Sequence, residues 1–132
     1  MRTLIAEDDQ TSALVLVSML KPYGSVMVAR DGDALVRDFT AGLVQQQPYD
    51  LVCLDIKMPG LDGQACLRCL RAVEKAFGRE GAAGTKVLMT TSVNTPESIF
   101  TAFRGQAEGY LIKPIDRAKL TAQLAQFGFI AA

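Results

Sequence analysis

Five short runs rich in Val, Leu, Ile or Met, at 2–6, 25–29, 50–54, 86–91 and 109–112, alternate with stretches of helical apolar spacing. Nothing else in the sequence constrains the fold as much. Such runs have the length of buried strands, and the stretches between them, near 10–21, 32–46, 63–77, 95–106 and 116–127, read as helices. Ala13, Leu16, Val17 and Leu20 make one face of the first helix, and Leu120, Leu124 and Phe127 one face of the last. Boundary residues agree. Thr95 can cap the fourth helix, with Pro96 in its first turn and Glu97 complementing the positive end of the helix dipole. Pro22 and Gly24 close the first helix, and Gly32 and Pro48 mark other turns. The glycine-rich, nonperiodic segment 79–84 reads as a loop. Phe100 and Phe103, beside Ile99, leave either a broad buried face on the fourth helix or one phenylalanine on the surface.

Five βα units with short connections imply an α/β fold: a doubly wound, five-stranded parallel sheet with helices on both faces. Such a sheet keeps its ligand site at the carboxyl ends of its strands, near the topological switch. The 132 residues suit one domain able to bury its own core. Fourteen basic and fourteen acidic residues cancel, with no Lys/Arg stripe, so no nucleic-acid partner is expected. No apolar stretch approaches the roughly 20 residues of a membrane span, and the first residues run straight into a strand without a signal-peptide pattern. A cytoplasmic protein with no membrane partner is the expectation.

Cys66 and Cys69 share one side of a helix, and Cys53 lies in a strand. A zinc site would need further ligands, and the chain has no histidine. All three read as unoxidised, packed thiols. Without histidine there is also no Ser-His or Cys-His nucleophile pair.

The charged residues worth attention stand where strands end. Glu7-Asp8-Asp9 follows the first strand, Asp55 closes the third, Thr91 and Ser92 end the fourth, and Lys113-Pro114 follows the fifth. Crowding Glu7, Asp8 and Asp55 raises mutual repulsion that a hard divalent cation relieves. Mg²⁺ takes one or two carboxylates together with waters and a phosphate, and the main-chain carbonyl of Lys57 is a further candidate oxygen. Lys113 can pair with Asp55 or with a phosphoryl oxygen, while Thr91 and Ser92 offer hydroxyl and N–H donors to it. Each signal is weak alone. Four of them on one sheet edge are strong together.

The chain resembles the receiver domains of two-component response regulators, the CheY-like family. The matching text is Leu4-Ile5-Ala6-Glu7-Asp8-Asp9, then Asp55-x-x-Met58-Pro59-x-x-Asp62-Gly63, then Val87-Leu88-Met89-Thr90-Thr91-Ser92, then Gly109-Tyr110-Leu111-Ile112-Lys113-Pro114. The resemblance runs along essentially the whole chain. It implies a flavodoxin-like strand order 2-1-3-4-5 and a phosphorylation switch. Asp55 would accept a phosphoryl group from a sensor histidine kinase or phosphotransfer protein, with Mg²⁺ neutralising charge and Lys113 gripping one oxygen. Asp8 would bind the metal directly and Glu7 through water, with Asp9 capping the first helix; the pair Asp8 and Asp9 is the alternative register. Thr91 would be the switch hydroxyl, Thr90 its fallback, and Tyr110 the switch aromatic. Their rearrangement would remodel the surface of the fourth helix, fifth strand and fifth helix for a downstream target protein. Ile115 replaces a phenylalanine common in the family, and Lys57 and Val93 flank the site at positions that influence phosphoryl lifetime.

The sequence closes shortly after the fifth helix, so a stand-alone receiver without an output domain is expected, of chemotaxis or phosphorelay type. An enzyme is the main rival. A haloacid-dehalogenase-type phosphatase also uses a strand-end Asp, Mg²⁺ and a lysine, but it needs a second acid two residues on, where this chain has Lys57. A flavodoxin-like binding module would need a phosphate-cradling loop after the first strand, where this chain has acids.

Overall fold

The computed structural model describes residues 1–131. Strands and helices alternate: β1 (Arg2–Ala6), α1 (Gln10–Leu20), β2 (Ser25–Ala29), α2 (Gly32–Val44), β3 (Leu51–Leu54), α3 (Gly63–Ala76), β4 (Lys86–Thr91), α4 (Pro96–Arg104), β5 (Gly109–Ile112) and α5 (Arg117–Gln126). The expected elements are all present, with ends moved by one or two residues. Helix starts are fixed by side chains that accept from backbone N–H groups left free in the first turn. Asp9, Asp31, Asp62 and Asp116 cap α1, α2, α3 and α5, and Thr95 caps α4 ahead of Pro96.

All five strands are parallel, in the order β2-β1-β3-β4-β5. Side chains of a strand alternate between faces, and both faces here are covered, so β3 is buried at every position. Leu4, Val52, Leu54, Val87 and Met89 pack on one side with Leu35 and Phe39 of α2, Leu67 and Leu70 of α3, and Ala102 of α4. Ile5, Leu51, Cys53 and Leu88 pack on the other with Leu16 and Leu20 of α1 and Leu120 and Leu124 of α5. The order reverses between β1 and β3, which puts the crevice of the sheet beyond Ala6 and Leu54.

Two details differ from expectation. Residues Gly81–Ala83 form one turn of 3-10 helix within the segment read as a loop. On α4 only Ala102 is buried, so Phe100 and Phe103 are both on the surface, at 64% and 47% exposed. At about 100° per residue, Phe100 and Phe103 lie well off the side of the helix that Ala102 presents to the core. The three cysteines are free thiols, with Cys53 and Cys66 buried. Among the described residues no helix is long and apolar enough to cross a membrane.

Candidate functional site

Three of the strand-end residues are held by continuations of the sheet's own hydrogen bonding. The Glu7 N–H donates to Ala29 O at 3.0 Å, the Asp55 N–H to Ala6 O at 3.1 Å and the Lys113 N–H to Thr91 O at 2.9 Å. Extending the ladder by one residue past each strand end fixes where each side chain leaves the backbone. The carboxylates of Glu7, Asp8 and Asp55 consequently converge, with one oxygen of each within 4.8 Å of the others. Asp9 stands apart, accepting from the Ser12 N–H at 3.0 Å and its hydroxyl at 2.6 Å as the α1 cap.

Glu7 and Asp55 are buried, at 1% and 5% exposed, while Asp8 faces solvent. Lys113 reaches in from β5: its ammonium donates to Asp55 Oδ2 at 3.0 Å and also pairs with Glu7 Oε1. Burial alone would depress the lysine's pKa, but the hydrogen bonds to Glu7 and Asp55 outweigh it and hold the group above its ordinary value. For Glu7, burial pushes the carboxyl above the usual carboxylate range, and hydrogen bonds from Lys113 and the Asp9 N–H offset only part of that. Joint contact of Lys113 with both acids goes beyond the sequence reading, which paired it with Asp55 alone.

One lysine cannot satisfy three carboxylates. Asp55 Oδ1 is buried and has no hydrogen-bond partner among the described residues. An unpartnered buried carboxylate oxygen beside two further carboxylates is the donor set of a hard divalent cation, and the acidic triad fits Mg²⁺.

The remaining predicted residues fall into two groups. Thr91 and Tyr110 meet at Val93 in the β4–α4 loop: the Val93 N–H donates to Thr91 Oγ1 at 3.3 Å, and the Tyr110 hydroxyl donates to the Val93 carbonyl at 2.6 Å. The Tyr110 pKa is raised, by burial first and then by the Asp55 charge, which ties the ring electrostatically to the acidic cluster. Thr90 is buried one residue earlier, its hydroxyl unpartnered among the described residues. Ser92 and Lys57 are exposed on the flanking loops. Gly63 opens α3 against the back of Asp55, where a Cβ would lie 2.2 Å from the Asp55 carbonyl oxygen. Its N–H donates to Ile56 O at 2.8 Å, so helix and acidic loop are locked together.

Comparison with known proteins covers almost the entire chain. Residues 3–125 match the response regulator receiver domain family. The chain is 32% identical over 125 residues to the sensory/regulatory protein RpfC of Xanthomonas campestris, covering 95% of this chain and 16% of that one. It is 30% identical over 122 residues to the transcriptional regulatory protein ZraR of Escherichia coli, covering 92% of this chain and 25% of that one. It thus spans a quarter or less of these curated relatives. Among solved structures, the fold is shared with the CheX-CheY-BeF3-Mg complex of Borrelia burgdorferi, at a TM-score of 0.82 and 23% identity over 98% of this chain and 90% of that one. A histidine kinase receiver domain from Arabidopsis thaliana, complexed with Mg²⁺ and BeF3⁻, superposes with a TM-score of 0.81 at 24% identity, over 95% and 89% of the two chains. A family match over residues 3–125, joined to 32% identity across 95% of the chain, leaves one conclusion: the chain belongs to the response regulator receiver domains.

Proposed function

We propose that this chain is a phosphorylation-activated switch of a two-component system, accepting a phosphoryl group on Asp55 from a phosphohistidine of a sensor kinase or phosphotransfer protein in the cytoplasm. The observation that carries this is the asymmetry of the Asp55 carboxylate. Oδ2 is held by Lys113 and Oδ1 is left without a partner, in a pocket that already fits a divalent cation.

Oδ1 attacks phosphorus in line with the donor nitrogen. An O–P bond forms, the P–N bond breaks, and its electron pair leaves with the imidazole, which takes up a proton. Mg²⁺, held by Asp8, Asp55, the Lys57 main-chain carbonyl and Glu7 through water, would neutralise charge on the phosphoryl oxygens. Lys113 exchanges its bond to Asp55 for one to a phosphoryl oxygen, while the Thr91 hydroxyl and the Ser92 N–H offer further donors. The phosphoryl group adds about −1.5 to −2 charge at the sheet edge. Drawing Thr91 toward it breaks the Val93 N–H bond and lets the β4–α4 loop shift together with Tyr110, which holds it at the Val93 carbonyl, reshaping the α4–β5–α5 face for a target protein. The exposed Phe100 and Phe103 on α4 support that face as the output surface. Whether the output is chemotactic or passes the phosphoryl group onward is set by the partner. The phosphatase reading finds no support: the chain falls in the receiver family, and Lys57 stands where a leaving-group acid would be needed.

Incubation with acetyl phosphate and Mg²⁺, followed by intact mass, tests the assignment. The wild type gains one phosphate and Asp55→Asn gains none; a phosphate retained by the Asn variant would move the acceptor elsewhere.

A further inference from the structure

A cavity of about 880 Å³ opens at the other edge of the sheet, by the amino ends of β4 and β5, between α3, the Gly81–Ala83 turn and the end of α4. A second, of about 270 Å³, continues it along the α3–α4 crevice, sharing Arg68, Arg104 and Gly105. The charges lining it are of two kinds. Arg71 is consumed internally, donating to Glu74 at 2.6 Å and to both Glu108 oxygens at 2.8 and 2.9 Å. Those carboxylates in turn take the Thr85 and Val87 N–H groups, and Arg79 lies 4.0 Å from Glu74. Two arginines and two glutamates close into a neutral network.

Arg68, Lys75, Lys86 and Arg104 are the other kind. None makes a salt bridge among the described residues, and Glu80 is the one lining acid outside the network. Lys75 and Arg104 lie in the last turns of α3 and α4, whose carboxyl ends each carry about half a negative charge. Subtracting those and Glu80 still leaves about two positive charges over a concave surface, on a chain whose net charge is zero. Arg104 is further set by stacking on the Phe100 ring, 5.7 Å from its centroid.

We infer that this groove binds a small polyphosphate-bearing ligand, remote from the Asp55 pocket and bridging Arg68 of α3 to Arg104 of α4. Guanidinium forks match phosphate oxygens bidentately, and the two arginines are placed on facing helices. Concavity favours a compact anion over an acidic protein surface, which would need a flatter patch. A ligand there ties the carboxyl end of α4 to α3.

Tripolyphosphate, titrated without Mg²⁺ into the isotopically labelled protein, tests this by amide chemical shifts. Saturable shifts at Arg68, Arg104 and Gly105 are expected. Arg68→Ala and Arg104→Ala should each weaken binding about tenfold, with circular dichroism unchanged. Shifts centred on Lys113, equal affinity in the double variant, or a hexaglutamate peptide binding as tightly as tripolyphosphate would each overturn it. The last outcome would turn the groove into a docking site for an acidic protein.

Discussion

Tyr110 donates its hydroxyl to the Val93 carbonyl at 2.6 Å, and so anchors to β5 the same loop residue whose N–H donates to Thr91. The loop is held at both backbone groups of a single residue. Every residue but proline offers both a backbone carbonyl and an N–H, so no sequence pattern could mark Val93 for this part. Tyr110→Phe keeps the ring and removes the donor. Stability should fall by about 1 kcal/mol, and amide exchange at Val93 and Asn94 should quicken. Exchange that stays at the wild-type rate would show the loop to be held by something other than this bond.

Gly63 is required by proximity rather than by backbone angle. A Cβ there would stand 2.2 Å from the Asp55 carbonyl oxygen and 2.6 Å from the Ile56 Cα, neither of which is a flexible side-chain end. Gly63→Ala must therefore push α3 off the acidic loop. A loss of about 2 kcal/mol in urea unfolding is expected, together with slower labelling of Asp55 by acetyl phosphate. Wild-type stability paired with slowed labelling would contradict the packing argument.

The elements and the strand ends were legible because their causes are local. Continuous short apolar runs, period-3.6 spacing, short connections and caps such as Thr95-Pro96 need only neighbouring residues to be read. The convergence of Glu7, Asp8, Asp55 and Lys113 followed from placing three strand ends, those of β1, β3 and β5, on one edge of a parallel sheet. What stayed hidden depends on contacts far apart in the chain. Lys113 touching Glu7 spans most of the sequence, and Arg71 meets Glu108 across 37 positions. The surface position of both Phe100 and Phe103 was hidden for a related reason, since it depends on how little of α4 the sheet covers.

Arg71 links the end of α3 to the starts of two strands. Its guanidinium donates to the Thr85 and Gln106 carbonyls at 2.8 and 2.6 Å besides pairing with Glu74 and Glu108. Glu74 is buried at 1% exposed, so losing Arg71 leaves its charge held by the Thr85 N–H and by Arg79 at 4.0 Å alone, largely stranded out of water. Arg71→Ala should cost about 3 kcal/mol in equilibrium unfolding. Adding Glu74→Gln should recover part of that loss, because the stranded charge goes with it. If the double variant is less stable than the sum of the singles, the penalty comes from lost packing instead.

Burial pushes the Cys53 thiol up to about 12, from an ordinary value of 9.0. In the unfolded chain the thiol ionises above that ordinary value, while the folded protein keeps its proton. Between the two values the unfolded state therefore binds fewer protons, and stability falls as pH rises. The stabilising contribution is complete below pH 9 and is lost progressively toward pH 12. Each pH unit in that window is worth up to about 1.4 kcal/mol for one group. Lys113, Tyr110 and Cys66 also have raised values and add to the alkaline loss, so the variant difference is the quantity to measure. Cys53→Ala leaves a small cavity at every pH but has no thiol to ionise. Unfolding in urea at about pH 8 and about pH 10.5 should show the wild type losing about 2 kcal/mol more than the variant over that interval. Equal losses would mean that water reaches the β3 thiol in the folded state and that it ionises there much as it does in the open chain.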